Sequence, residues 1–516
     1  MSNKIYPIGI QNFEKIRQDG YFYVDKTALM YQMVKTGSYY FLSRPRRFGK
    51  SLLISTLEAY FQGKKELFTG LMVEKLEKDW IEHPILHLDL NIEKYDALES
   101  LDNILDKSLT AWEKLYGAEP SERSFSLRFA GIIERACQKT GQRVVILVDE
   151  YDKPMLQAIG NEDLQKQFRD TLKPFYGALK TMDGCIKFAL LTGVTKFGKV
   201  SVFSDLNNLK DISMDERFVD ICGITEKEIH DNLEEELHQL AEKQKMSYEQ
   251  VCAELKECYD GYHFMEHTIG IYNPFSLLNT FDKMKFGSYW FETGTPTYLV
   301  NLLKKHHYDL ERMAHEETDE QVLNSIDSES SNPIPVIYQS GYLTIKGYDE
   351  EFGIYRLGFP NREVEEGFVR FLLPYYANVN KVESPFEIQK FVSEIRSGDY
   401  NAFFRRLQSF FADTPYELIR DLELHYQNVL FIVFKLIGFY VHVEYHTGQG
   451  RIDLVLQTDK FIYVMEFKLD GTAEAALQQI NERQYTRPFE SDPRELLRIG
   501  VNFSSETRNI EKWIVE

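Results

Sequence analysis

The chain has 516 residues, 43% of them hydrophobic and 14% aromatic, too many for one ordinary core and too apolar for global disorder, so two to four folded units are expected. A formal net charge of −20 excludes wholesale electrostatic wrapping of nucleic acid and leaves room only for local contact. The five cysteines, at 137, 185, 222, 252 and 258, are scattered without a Cys-x-x-Cys pair. No apolar run approaches the roughly 18 residues of a membrane span, and no basic-then-apolar leader opens the chain. A soluble cytoplasmic protein without disulfides, structural zinc or a membrane partner is expected.

In chain order, Tyr21 to Thr27 reads as an approach strand or turn, followed by a helix through Met30 and Met33. The run Tyr39-Tyr40-Phe41-Leu42-Ser43 then breaks into Arg44-Pro45-Arg46-Arg47-Phe48-Gly49-Lys50-Ser51, which reads as strand, phosphate loop, helix. Gly49 lets backbone N–H groups close on phosphate oxygens, Lys50 reaches the β and γ phosphates, and the Ser51 hydroxyl ligates Mg²⁺. Arg44 stands where the full pattern has glycine, so the match is partial. Leu53, Leu57, Tyr60 and Phe61 follow at helical spacing, as a helix carrying phosphate at its N-terminus requires.

His83 to Leu90 is a second strand, and Arg143 to Glu150 is a β-branched run suited to a strand buried on both faces of a parallel sheet. Asp149 at its end is assigned to Mg²⁺ and Glu150 to the attacking water; a plain strand-end acidic pair is the alternative. Ile186 to Gly193 ends in Thr192, in place to sense a γ-phosphate if this strand lies between the two phosphate motifs, or simply a strand-end threonine. Val194 to Leu209 is turn-rich and expected above the sheet. Thr225 to Cys258 has a helical stripe of Leu233, Leu237 and Leu240, the pattern of a helical lid. The aromatic segments Tyr259 to Phe264, Ile271 to Ser276 and Tyr289 to Gly294 read as packing and turns.

Glu311 to Pro335 is polar and expected to be a surface excursion. Val336 to Ile345 and Ile354 to Phe359 are expected to form a hairpin; with helices around it, a winged helix is conceivable, though no basic recognition helix is present. Helical segments run from Glu363 to about Asp413, and another helix is expected from Tyr416 to Leu436.

Two alternating strands, Gly450 to Gln457 and Phe461 to Leu469, flank a polar turn at Asp459-Lys460. A two-residue turn sets Asp453 opposite Glu466 and Arg451 opposite Lys468, with Asp453, Glu466 and Lys468 on one face. Facing carboxylates repel unless a cation lies between them, so Asp453 and Glu466 are candidate ligands of Mg²⁺ or Mn²⁺, and Lys468 the group that positions water and phosphate. A solvated face with diagonal ion pairs is the bland alternative. Glu423 on the preceding helix is within reach of such a metal, and Gln479 and Tyr485 on the following segment are candidates for backbone contact with nucleic acid.

With Tyr23-Val24-Asp25-Lys26-Thr27, the phosphate loop, Val148-Asp149-Glu150-Tyr151-Asp152, Leu191-Thr192-Gly193-Val194, Tyr259-Asp260-Gly261-Tyr262, Tyr272-Asn273-Pro274 and Gly450-Arg451-Ile452-Asp453 with Glu466-Phe467-Lys468, the chain resembles a bacterial family. That family joins an N-terminal AAA-ATPase-like domain to a C-terminal PD-(D/E)xK nuclease-superfamily domain. The resemblance implies an α/β fold: a P-loop (AAA/ASCE-like) parallel sheet with a helical lid, then a PD-(D/E)xK nuclease-like αβ domain. Expected boundaries are 1–215 for the ATPase-like domain, 216–362 for lid and winged-helix-like region, 363–414 for a helical connector and 415–516 for the nuclease-like domain. The implied activity is ATP-controlled, metal-dependent cleavage of nucleic acid, DNA above all, in defence against or processing of foreign DNA. ATP and Mg²⁺ are the expected cofactors, and a homo-oligomer is compatible with the family, Arg46, Arg47 and Arg169 being candidates for an ATP-site arginine. The alternative is a nucleotide-dependent switch or assembly factor whose C-terminal domain binds nucleic acid or protein without cutting.

Overall fold

The computed structural model describes residues 4–196, 206, 208–291, 297–324, 332–377, 379–380, 382–412, 422–448 and 451–516; the side chains of 297, 422–423, 445–448 and 451–453 lie outside that description. Most of the Val194 to Leu209 stretch is therefore not described. The chain divides into two compact units, one of Met1–Gly294 with His315–Glu363, the other of Thr295–Ala314 with Val364–Glu516.

The first unit is built on a parallel sheet of β1 (Tyr39–Ser43), β2 (Ile85–Asp89), β3 (Val144–Asp149), β4 (Ile186–Gly193) and the short β5 (Lys210–Asp211), in the order β2-β3-β4-β1-β5. Every residue of β1 and β3 is buried, which explains their uninterrupted apolar composition. The strand β4 lies between β1 and β3, so its tip at Thr192 falls between the phosphate loop and Asp149. Helices Leu98–Tyr116, Phe125–Thr140 and Glu162–Thr181 cover one face, burying Leu105, Ile132 and Phe175 against Phe41, Ile146 and Leu191. Helix Lys50–Phe61 contacts β3 and β4, burying Leu53 and Leu57.

The charged stretch after Thr225 forms two helices, Glu226–Gln244 and Tyr248–Tyr259, each opened by a capping box. With β6 (Ile224–Thr225), β7 (Ile271–Tyr272) and helix Pro274–Lys283 they enclose a separate core around Leu233, Leu237 and Phe281, against which Tyr6, Phe22 and Val24 pack.

Two expectations are corrected here. Glu311 to Pro335 is not a surface excursion in its described part: Met313, Leu323 and Ile334 are buried, and β8 (Glu317–Asp319) pairs with β10 (Ile354–Gly358), which pairs in turn with β9 (Thr344–Asp349). Val336 begins no strand. It lies in helix Ile334–Gln339, where Pro335 supplies the fixed φ that suits a first helical turn. A short apolar run cannot by itself distinguish a buried helix turn from a strand, and the flanking prolines decide. This helix precedes the hairpin, as in a winged helix, but it is largely buried and carries no Lys or Arg.

The second unit has a sheet in the order β11-β12-β13-β14-β15, formed by β11 (His442–Gly448), β12 (Arg451–Gln457), β13 (Phe461–Leu469), β14 (Glu495–Ser504) and β15 (Asn509–Val515). The β13–β14 pair is parallel and the others antiparallel. Helix Leu422–Gly438 precedes the sheet, and helix Ala473–Glu482 crosses from β13 to β14. Helices Ser384–Ser397 and Tyr400–Phe411 join this unit through Phe391, Phe403 and Phe434, whose rings are in contact.

Candidate nucleotide and metal sites

The phosphate loop joins β1 to helix Lys50–Phe61, and the chain makes the turn with two left-handed residues, Arg47 (φ 68) and Gly49 (φ 100). Such alternation turns successive N–H groups toward a common centre, the geometry of an anion nest. Lys50 is 4% exposed, and its ammonium donates to the carbonyls of Arg44 (3.0 Å) and Pro45 (3.3 Å) and lies 3.5 Å from Glu150 Oε1. Phosphate oxygens would replace those carbonyls as acceptors.

Arg44 serves a different purpose from the glycine whose place it takes. Its side chain is buried and donates to the carbonyls of Ser43 (2.9 Å), Ser213 (2.8 Å) and Phe218 (3.2 Å), with the guanidinium 4.0 Å from the centre of the Phe264 ring. Burial pulls its pKa down to about 10. The side chain thus ties the loop to the segment after β5. Arg46 donates to Tyr342 Oη at 3.4 Å, and Arg47 stacks 4.8 Å over Phe275.

At the neighbouring strand tips, Asp149 Oδ1 accepts from the Thr192 hydroxyl (2.6 Å) and from Glu150 N–H (3.1 Å). Glu150 itself is left-handed (φ 56), a conformation that costs energy in any residue bearing a Cβ and is retained where the surroundings enforce it. The structure therefore gathers Lys50, Asp149, Glu150 and Thr192 at one edge of the sheet, with Ser51 at the second position of the helix that Lys50 opens. Asp152 is fully buried and accepts from Val194 N–H (3.1 Å), Thr195 N–H (2.6 Å) and the Thr195 hydroxyl (2.5 Å). Burial, reinforced by the charge of Glu150, pushes its carboxyl up to about 7. Beside Gly49 lies a pocket of about 110 Å³, lined by Phe22, Val24, Leu52, Leu53, Ile224 and Leu278 among others.

In the second unit the hairpin register is the one the turn requires: Asp453 pairs with Glu466 and Arg451 with Lys468. Glu466 is fully buried, and Lys468 Nζ lies 3.8 Å from its Oε1 while donating to Gln479 on helix Ala473–Glu482. That helix is brought close by Gly500, the register partner of Glu466, where a Cβ would fall 2.1 Å from the Ala473 carbonyl oxygen. Tyr485 packs against the core of Ile462, Val464 and Ile480. The side chains of Asp453 and Glu423 lie outside the described set, and among the described residues no group of three or more His, Cys, Asp or Glu side chains forms a metal cluster. A buried carboxylate in register with an aspartate, with an ammonium beside it, nonetheless fits a hard divalent cation bound through oxygen.

Residues 7–203 match the family described as a predicted AAA-ATPase, and residues 421–513 match the PD-(D/E)XK nuclease superfamily. An uncharacterized protein in the vnfD 5′ region of Azotobacter chroococcum mcd 1 is 35% identical over 532 residues, covering 100% of this chain and 99% of that protein. The chain belongs to the AAA-ATPase-like family with a C-terminal PD-(D/E)XK nuclease-superfamily domain. Within this AAA-ATPase-like, PD-(D/E)XK protein, sequence reasoning missed Asp152, Gly500 and the part played by Arg44. Their partners are fixed only by the fold. The single available signal was the acid in Asp149-Glu150-Tyr151-Asp152, one turn beyond the expected metal ligand.

Proposed function

We propose that the chain is an ATP-controlled, metal-dependent nuclease acting on DNA, including foreign DNA. Lys50 and the loop N–H groups bind the phosphates, Ser51 and Asp149 hold Mg²⁺, Glu150 orients water, Thr192 reports the γ-phosphate through Asp149, and the apolar pocket beside Gly49 takes the base. Arg46 and Arg47 supply positive charge at the loop. In the second unit Asp453 and Glu466, joined by Glu423, hold Mg²⁺ or Mn²⁺. A bound cation there supplies Lewis-acid polarisation of the phosphodiester and of water. Lys468, steadied by Gln479, orients water and phosphate. The observation that carries the reading is the register of Asp453 with Glu466 and the 3.8 Å approach of Lys468 Nζ to the latter. As domains we propose 1–215 as ATPase-like body, 216–362 as lid and winged-helix-like region apart from Thr295–Ala314, which belong to the second unit, and 415–516 as nuclease-like domain, with 363–414 a helical connector that packs into that same second unit.

The test is a thermal-shift series joined to plasmid nicking by the full chain. ATP with Mg²⁺ should raise the wild-type Tm by mass action, about 2.7 kcal/mol of stabilisation at a hundredfold excess over Kd, and Lys50→Ala should lose that rise. In the nucleotide-free Lys50→Ala background, Mn²⁺ should still stabilise, and Asp453→Asn should remove that response; with Lys50 intact and ATP present, Asp453→Asn should abolish nicking. If Lys50→Ala gains as much from ATP as wild type, the nucleotide site is wrong; if Asp453→Asn responds to Mn²⁺ undiminished, the nuclease reading is wrong.

A further inference from the structure

The chain passes between the two units three times, at Gly294/Thr295, Ala314/His315 and Glu363/Val364. The residues just before the first and third passages are held together. Glu363 is buried, and its Oε1 accepts from the N–H groups of both Tyr289 (2.5 Å) and Trp290 (2.7 Å). The Trp290 indole N–H in turn donates to the carbonyl of Arg46, inside the phosphate loop, at 2.9 Å. Its ring lies 5.2 Å from that of Tyr342, whose hydroxyl accepts from the Arg46 side chain.

A second path runs from the same loop to the same place. Phe48 packs its ring 4.8 Å from Tyr262, and the neighbouring Gly261 approaches so closely that a Cβ would fall 2.2 Å from the Pro360 carbonyl oxygen. Asn361 then donates to the Asp260 carbonyl at 2.8 Å. The aromatic segments that read as packing in the sequence thus join the phosphate loop to residues 360–363 from two sides.

We propose that Trp290 and Glu363 are positioning residues that transmit nucleotide occupancy of the phosphate loop to the two passages into the second unit, and so regulate its chemistry; this rests on the nucleotide reading above. Phosphate binding draws Lys50 from the carbonyls of Arg44 and Pro45 and recruits the loop N–H groups. The peptide planes on either side of left-handed Arg47 then reorient, and the Arg46 carbonyl moves against the indole of Trp290, a residue whose backbone N–H is held by Glu363. A coupling carried by one buried hydrogen bond is worth about fivefold in an equilibrium constant.

The test is hydrogen–deuterium exchange on the full chain with and without ATP and Mg²⁺, reading helix Lys50–Phe61 for binding and residues 297–305 and 364–376 for the response. In wild type, nucleotide should protect the loop helix and change exchange in both downstream segments. Trp290→Phe keeps the ring against Tyr342 and removes the donor, so the loop helix should still be protected while the downstream change falls about fivefold. Glu363→Ala should do the same, and Glu363→Gln, whose single amide oxygen can accept both N–H groups, should restore the response. A full downstream response in Trp290→Phe, or in wild type none despite protection of the loop helix, would overturn the latch and leave the nucleotide site standing. No protection of the loop helix in wild type would overturn the nucleotide reading, and the latch with it.

Discussion

Asp152 lies beneath the turn that follows β4, and its burial has a measurable consequence. An aspartate in the unfolded chain titrates near about 3.9, whereas burial and the adjacent Glu150 raise the folded carboxyl to about 7. Across that window the folded state holds a proton that the unfolded state has released, so this residue makes stability fall as pH rises from about 4 to about 7. Asp152→Asn, which cannot ionise, should flatten that part of the Tm-against-pH curve; parallel curves for wild type and variant would show that the group titrates normally. At this scale the sequence was informative where chemistry is local. Gly49, Lys50 and Ser51 announce themselves as three consecutive residues, but the departure at Arg44 said only which glycine was missing. Where the guanidinium goes depends on Ser213 and Phe218, brought to the loop by β5 and the turn beyond it.

Among the elements, the β12–β13 hairpin was legible because a two-residue turn leaves one register for alternating strands, whereas helix Ile334–Gln339 was not, its apolar run being too short to show a period. The closeness of helix Ala473–Glu482 to β14 was invisible too, since one glycine among ordinary strand residues does not reveal what lies above it. Gly500→Ala should push that helix outward, separate Gln479 from Lys468 and destabilise the protein by about 1–3 kcal/mol in urea denaturation. Gly177→Ala is the control: it lies within helix Glu162–Thr181 with nothing near its would-be Cβ, so it should stabilise by about 0.5–1 kcal/mol. Equal effects from the two substitutions would mean that the 2.1 Å contact relaxes freely.

For the whole molecule, the second unit takes Thr295–Ala314 into its core, although His315–Glu363 separates that segment from the rest of the unit in sequence. Leu299, Val300, Leu303 and Leu310 are fully buried, and the buried Asn428 side chain donates to the Tyr308 carbonyl (3.0 Å) while accepting from Leu310 N–H (2.9 Å). A fragment of residues 364–516 should therefore be insoluble or unfolded by circular dichroism, and supplying residues 295–314 by fusion should restore cooperative unfolding. A cooperative transition in the short fragment would show the segment to be dispensable. No hydropathy pattern foretells this, because a helix gives no sign of which core it will enter.

The interleaving also bears on inheritance. A recombination event with one crossover before Val364 would deliver a PD-(D/E)XK domain stripped of helix Thr297–Lys305, and one placed before Thr295 would carry along the β8–β10 sheet that belongs to the ATPase-like unit. Neither product is a clean cassette. Exchanging either half cleanly takes several coordinated crossovers, and the match with the Azotobacter protein runs through both halves end to end.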